Sequence, residues 1–283
     1  LIVTASNGNQ VTVKNMTIQN YAITSGTTEY GGSAFRIGVA RGSQYHANAG
    51  SDVDIINIKF YKNSFDTSSS SYDDGGAIKI VRTTSSTNYD INIRECLFYD
   101  NSVDYRGGAI LAEDGTTLKI YNSVFNDNDA DWGGAIYFRD EASSSGDSSY
   151  YLYNCTLYRN MCRTVHSDNS GNIYAYSGYD DINVNIYNSI IMYGERGSAD
   201  SYHYDLNSSS EGKVNWDLNR TYTRYVWDAG MDDWDSFNNT FDTASKGIEH
   251  LGMGMMNSGL YQLKGAYFEY IKEYESAIEW YNK

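Results

Sequence analysis

The chain has 283 residues, and its 21 lysines and arginines face 36 aspartates and glutamates, a formal net charge of −15. That balance disfavours nucleic acid as a partner, and no apolar run approaches the roughly 18 residues that a membrane-spanning helix needs, so no membrane insertion of this chain is expected. Proline is absent while glycine reaches 26 and tyrosine 28, a composition of strands and tight turns rather than of a helical bundle.

The opening LIVTASNGNQ has neither an initiator Met nor a charged-then-apolar leader, as expected where a signal has been removed or a piece cut from something longer. From Val11 onward the chain repeats itself. The first unit runs Val11, Val13, Asn15, Ile18 and then GGSAFRI from Gly31; the second runs Val53, Ile55, Asn57, Phe60, Asn63 and GGAIKI from Gly75. The third has Ile91, Ile93, Glu95, Phe98, Asn101 and GGAILA from Gly107, and the fourth Leu118, Ile120, Asn122, Phe125, Asn128 and GGAIYF from Gly133. The fifth has Tyr150, Leu152, Asn154, Leu157 and Asn160, and the sixth Val184, Ile186, Asn188 and Ile191, with Gly194 where the last Asn would stand.

Taking Ile18, Phe60, Phe98, Phe125, Leu157 and Ile191 as anchors, the slots seven and five before them are apolar in all six units. At 41% apolar composition, twelve such matches by chance have a probability on the order of 2 in 100,000. An apolar pair, then Asn three before the anchor, then another short strand reads as strand, sharp corner, strand, because Asn tolerates the left-handed conformation a corner needs.

Successive anchors are 42, 38, 27, 32 and 34 residues apart. Helical solenoids hold a nearly fixed period, whereas a coil of short strands keeps register while its corner loops vary. The expected fold is therefore all-β, a right-handed parallel β-helix of about six or more turns over 1–195. An irregular final turn is expected over 196–243, and a short α-helical cap over 244–283. Stacking like on like predicts an aromatic row of Phe60, Phe98 and Phe125 and an inward asparagine ladder of Asn15, Asn57, Asn122, Asn154 and Asn188. Gly75, Gly76, Gly107, Gly108, Gly133 and Gly134 should form a row of turn glycines. Cys96 and Cys155 share one slot two turns apart, roughly 9.6 Å and beyond the roughly 7 Å reach of a disulfide, so free thiols are expected.

The repeated GGA[ILV] and FxxN motifs, carried by Gly75 to Ile78, Gly107 to Ile110, Gly133 to Ile136 and the Phe and Asn pairs above, resemble the repeats of chlamydial polymorphic outer membrane proteins and similar β-helical adhesin-like surface proteins. The resemblance covers about residues 11–195 and implies an extracellular or cell-surface location. No β-barrel translocator is visible in this sequence. Near the end, Leu263, Tyr267, Tyr270, Ile271, Tyr274, Ile278 and Tyr281 recur at helical spacing. There Gly265, Phe268, Ala277 and Tyr281 are similar to one tetratricopeptide unit, a segment read first as a capping helix pair.

Candidate chemistry is sparse. The pairs Asp73 with Asp74, Asp180 with Asp181 and Asp232 with Asp233 are turn residues in the simplest reading. Asp127, Asp129 and Asp131 alternate as calcium ligands do, without the rest of an EF-hand pattern. Otherwise no cofactor is expected. His46, His166, His203 and His250 share no spacing. Sequons at Asn15 and Asn154 fall in the expected inward ladder, which leaves Asn207, Asn219 and Asn238 for glycosylation. Tyr179, Tyr202, Tyr204, Trp216, Trp227 and Trp234 are candidate contact aromatics, able to stack on sugars or fill a partner's pockets. The resulting expectation is a non-enzymatic extracellular adhesin-like module, associating with itself end to end in a filament or with a surface protein or glycan. The alternative is a carbohydrate-active enzyme, a polysaccharide lyase or glycoside hydrolase, on the same column.

Overall fold

The computed structural model describes residues 10–24, 32–37, 52–66, 74–81, 90–113, 116–140, 147–163, 170–192, 194–196, 204–209 and 214–223. All regular structure in them is strand, and every strand pairing is parallel. Each turn crosses four rows. The first row holds the leading halves of Val11–Gln19 and Val53–Tyr61, then Asp90–Arg94, Thr117–Tyr121, Ser148–Tyr153, Ile182–Tyr187 and Val214–Asn219. The second holds the trailing halves of the first two strands, then Leu97–Tyr99, Val124–Asn126, Thr156–Tyr158, Ile190–Met192 and Tyr222–Thr223. The third consists of two-residue strands from Ala22–Ile23 to Glu195–Arg196, and the fourth begins at Phe35–Ile37, after the Gly pairs, and ends at Tyr204–Ser209. Each strand pairs with its equivalent one turn on, which is the connectivity of a parallel β-helix.

The anchors lie in one register: Ile18 opposite Phe60, Phe60 opposite Phe98, and so on through Phe125, Leu157 and Ile191. Period-2 alternation then sends slots −7, −5, −2 and 0 to the interior. In the middle turns these side chains are fully buried, and Phe60, Phe98 and Phe125 stack face to face at 4.7 and 4.5 Å. Cys96 and Cys155 are buried and unpaired by disulfide, and burial pushes each thiol up to about 12.

The column runs further than the expected boundary at 195. Tyr204–Ser209 closes the sixth turn by stacking on Ser170–Ser177 of the fifth, and Val214–Asn219 and Tyr222–Thr223 stack on the sixth as a partial seventh. Trp216, Leu218 and Thr223 take its −7, −5 and anchor slots, so Trp216 points inward and packs against the core while remaining only half-buried at the column's end. The expected helical segment 244–283, including its tetratricopeptide-like stretch, lies outside the described residues.

The corners explain the asparagines. Asn15, Asn57, Glu95, Asn122, Asn154 and Asn188 all have φ between 48° and 59°, the left-handed conformation expected of slot −3. A second left-handed corner, only partly marked by residue type, follows at slot +2: Asn20, Lys62, Asp100, Asp127 and Arg159, with φ between 50° and 56°. A non-glycine residue there costs on the order of 1 kcal/mol, and Lys62 with Asp100 (3.6 Å) and Arg159 with Asp127 (3.6 Å) pair across successive turns at these corners. The third bend is Gly32, the second of its pair, and the first Gly of the later pairs, Gly75, Gly107 and Gly133, at φ 61–88°. In those later pairs the second Gly is needed for closeness instead: a Cβ on Gly108 would run into the carbonyl oxygen of Gly134, and one on Gly76 into that of Gly108.

Candidate functional site

The ladder expected to face inward faces outward. Asn15 and Asn57 are exposed and Asn122, Asn154 and Asn188 half-buried. Two links are made there, Asn57 Nδ2 donating to Asn15 Oδ1 at 3.0 Å and Asn154 Nδ2 to Asn122 Oδ1 at 3.1 Å, while Glu95 interrupts the row. A left-handed corner residue turns its Cβ to the outside of the bend, so the conformational reading was right and the direction wrong. The sequons at Asn15 and Asn154 are accordingly not enclosed. Asn207 is, at 3% exposure in Tyr204–Ser209, which leaves no room for a glycan; Asn219 is exposed, and Asn238 lies outside the described residues.

The buried ladder is the last residue of the FxxN motif. Asn63, Asn101, Asn128 and Asn160 are each 0% exposed. Asn128 Nδ2 donates to Phe98 O (2.9 Å) and to Asn160 Oδ1 (2.9 Å), while its Oδ1 accepts from the backbone N–H and Nδ2 of Asn101 at 3.1 and 2.9 Å. Asn101 repeats the pattern with Phe60 O and Asn128, and Asn63 with Ile18 O and Asn101. Both amide hydrogens and both carbonyl lone pairs are thus used, which is what burial of a side-chain amide requires. Where Gly194 lacks a side chain, Asn172 from the fourth row extends the line. It accepts from Asn160 at 2.8 Å and donates to Asp205 Oδ1 at 2.8 Å, and Asp205 also takes the Gly194 N–H.

On the outer face of the first two rows, tyrosines stack turn on turn. Tyr121, Tyr153 and Tyr187 lie 5.0 and 5.1 Å apart with planes within 9°, Tyr151 lies parallel to Tyr153, and Tyr61 stacks on Tyr99 at 5.2 Å. Their faces cover one another, so what they present outward is ring edges and hydroxyls. Arg94 sits over Tyr121, and the Tyr187 hydroxyl donates to Asp217 at 3.1 Å. These rings carry no turn or motif signature; only the registered slots −6, −4 and +1 reveal them. Among the aromatics singled out earlier, Tyr179 is 55% exposed. Tyr204 lies in its strand, and Tyr202, Trp227 and Trp234 lie outside the described residues.

On the fourth row a charged line, Asp74 to Lys79 (2.7 Å), Lys79 to Glu113 (3.8 Å) and Glu113 to Arg139 (3.5 Å), bridges three turns. On the third row Arg163 joins Asp129 at 2.9 Å, Asp104 at 3.3 Å and Asp131 at 3.5 Å. Burial nevertheless pushes the Asp129 carboxyl up to about 6. Arg163 opposes this, but its one charge is shared by three carboxylates. Asp127, the other suggested calcium ligand, pairs with Arg159, and no metal-holding group of His, Cys, Asp and Glu occurs among the described residues. Asp180 and Asp181 sit in the turn before Ile182–Tyr187, where the Asp180 carbonyl accepts from Ser177 and the Asp181 N–H donates to Asp147. Asp73, Asp232, Asp233 and the four histidines lie outside the described residues.

These features define a solenoid protein, an interior filled by registered side chains under an outer surface of ladders. Residues 95–113 match the model of the Chlamydia polymorphic membrane protein repeat, a stretch that holds Phe98, Asn101 and Gly107 to Ile110, and the chain carries a repeat of that type. No curated protein and no solved structure matches it. A surface adhesin-like module fits both the repeat and the parallel β architecture.

Proposed function

We propose that the chain is a non-catalytic extracellular module of adhesin type that engages a surface protein or glycan through its lateral face. The observation that supports this is the tyrosine ridge, Tyr121, Tyr153 and Tyr187 with Tyr151 beside it, on a rigid column. A rigid amphipathic aromatic surface binds at low entropic cost because its side chains are already fixed. With ring faces already stacked, recognition runs through hydroxyl hydrogen bonds and ring edges, and the expected partner presents polar groups at intervals rather than a flat sugar face.

The test is adhesion of the full chain, coated on beads, to a panel of cell surfaces and immobilised glycans, beside the variant Tyr121→Ser/Tyr153→Ser/Tyr187→Ser. Adhesion that falls at least tenfold in the variant, with an unchanged far-UV circular dichroism spectrum, is the expected result. Equal adhesion by both proteins removes the ridge from the reading. Depolymerisation of an acidic polysaccharide by the purified chain would replace it with a carbohydrate-active enzyme.

A further inference from the structure

The two ends of the column leave the same slots open. Val11 and Val13 in the first turn and Trp216 and Leu218 in the seventh, at slots −7 and −5, point inward yet are only half-buried, whereas their equivalents Ile91 and Ile93 are fully buried. Among the described residues, Val11–Gln19 pairs on one side with Val53–Tyr61 alone, and Val214–Asn219 with Ile182–Tyr187 alone. Among the described residues each end therefore offers the outer edge of a parallel strand, a template for one more strand.

We propose that the missing neighbour is a second copy of this chain, the seventh turn of one molecule stacking on the first turn of the next in the register that joins turns within a molecule. That register sets Trp216 against Val11, Leu218 against Val13 and Thr223 against Ile18. Charge favours a copy. The described part of the first turn carries Lys14 and Arg36 and no carboxylate, in a chain whose net charge is −15. The described part of the seventh carries Asp217 and Arg220, while Asp205, in the last fourth-row strand of the sixth, is buried and already held by Asn172 and the Gly194 N–H.

The column also contains the junction's ion pair already. Asp54, at slot −6 of the second turn, meets Arg94, at slot −4 of the third, at 3.8 Å. Head-to-tail stacking places Asp217 at slot −6 and Lys14 of the next copy at slot −4 in the same relation. Such a contact joins two different surfaces and does not close on itself, so it builds a linear filament. It needs only the two ends and meets the lateral tyrosine ridge at one point, the Tyr187 hydroxyl that donates to Asp217.

The experiment compares the full chain, Lys14→Glu and Asp217→Lys by sedimentation velocity over a concentration series, with electron microscopy of the largest species. The wild-type chain is expected to grow with concentration into rods one column wide. Either charge reversal should raise the concentration needed by about tenfold through like-charge repulsion at the junction. An equimolar mixture of the two variants should recover growth, because alternating copies restore an opposite pair at every junction. Monomers throughout, a dimer that grows no further, or a mixture no better than its components would each overturn the proposal. Spectra matching wild type exclude misfolding as the cause, and adhesion by a strictly monomeric chain would leave the lateral reading standing.

Discussion

Replacing Asn128 by alanine removes one member of the buried ladder and leaves its partners in place. The carbonyl of Phe98 and the backbone N–H of Asn101 lose their partner, the Asn101 amide loses one, and Asn160 Oδ1 keeps only the Asn128 backbone donor. Each buried polar group left unpaired costs about 1–3 kcal/mol, so with two or three of them the loss is about 3–6 kcal/mol, a large share of the 5–15 kcal/mol typical of a folded domain. Asn122→Ala in the outer ladder exposes its partners to water and carries mainly the left-handed backbone penalty, about 1–2 kcal/mol. Urea unfolding followed by far-UV circular dichroism, with both variants at one pH and temperature, measures the difference. A midpoint for Asn128→Ala equal to or above that for Asn122→Ala would refute the claim that the inner ladder, not the outer one, carries the polar burden of the interior.

Gly108→Ala should destabilise by several kcal/mol, because the added Cβ meets backbone on the adjoining turn and cannot be relieved by a rotamer change; a thermal midpoint within 2 °C of wild type would contradict it. Cys96 and Cys155, fully buried with thiols pushed up to about 12, should resist an aromatic disulfide reagent at pH 8 in native buffer and react within minutes in denaturant; rapid native labelling would show the turns opening. Asp129 titrates near 6 when folded and near 4 when unfolded. Between those values the folded state holds more protons, so its contribution to stability rises as pH falls from about 6.5 towards 4. Asp129→Asn should therefore flatten the pH dependence of the urea midpoint across that window, by an amount on the order of 1 kcal/mol after discounting for partial exposure, and an unchanged slope would place the titration elsewhere.

The architecture was legible because burial enforces it. Slots −7, −5 and 0 must be apolar wherever a strand has one face inside, and one shifted residue would turn the whole set outward. The left-handed corner at slot −3 was legible because asparagine tolerates it, but residue type carries no information on which side of a bend a side chain falls, and so the ladder was drawn on the wrong face. Slot +2 is only partly legible: Asn20, Asp100 and Asp127 tolerate that backbone, but Lys62 and Arg159 have no preference for it, and the rows on either side impose it. The inward slot of Trp216 is not legible from residue type, because the seventh turn has Arg220 at its corner and Thr223 at its anchor. The tyrosine ridge needs the register before any ring can be assigned a neighbour, since each touches its fellow some 30 residues away.

Because the strands of each turn pair only with those of its two neighbours, and largely match them in kind of side chain, the molecule has a built-in tolerance for changes of length in whole units. The stretch from Phe98 to Val124 returns the chain to an identical position after 27 residues, so a tandem duplication of it would lay phenylalanine on phenylalanine and amide on amide without a compensating mutation. Each such copy adds about 4.8 Å of height, which makes reach from a surface a trait that unequal recombination can adjust in even steps.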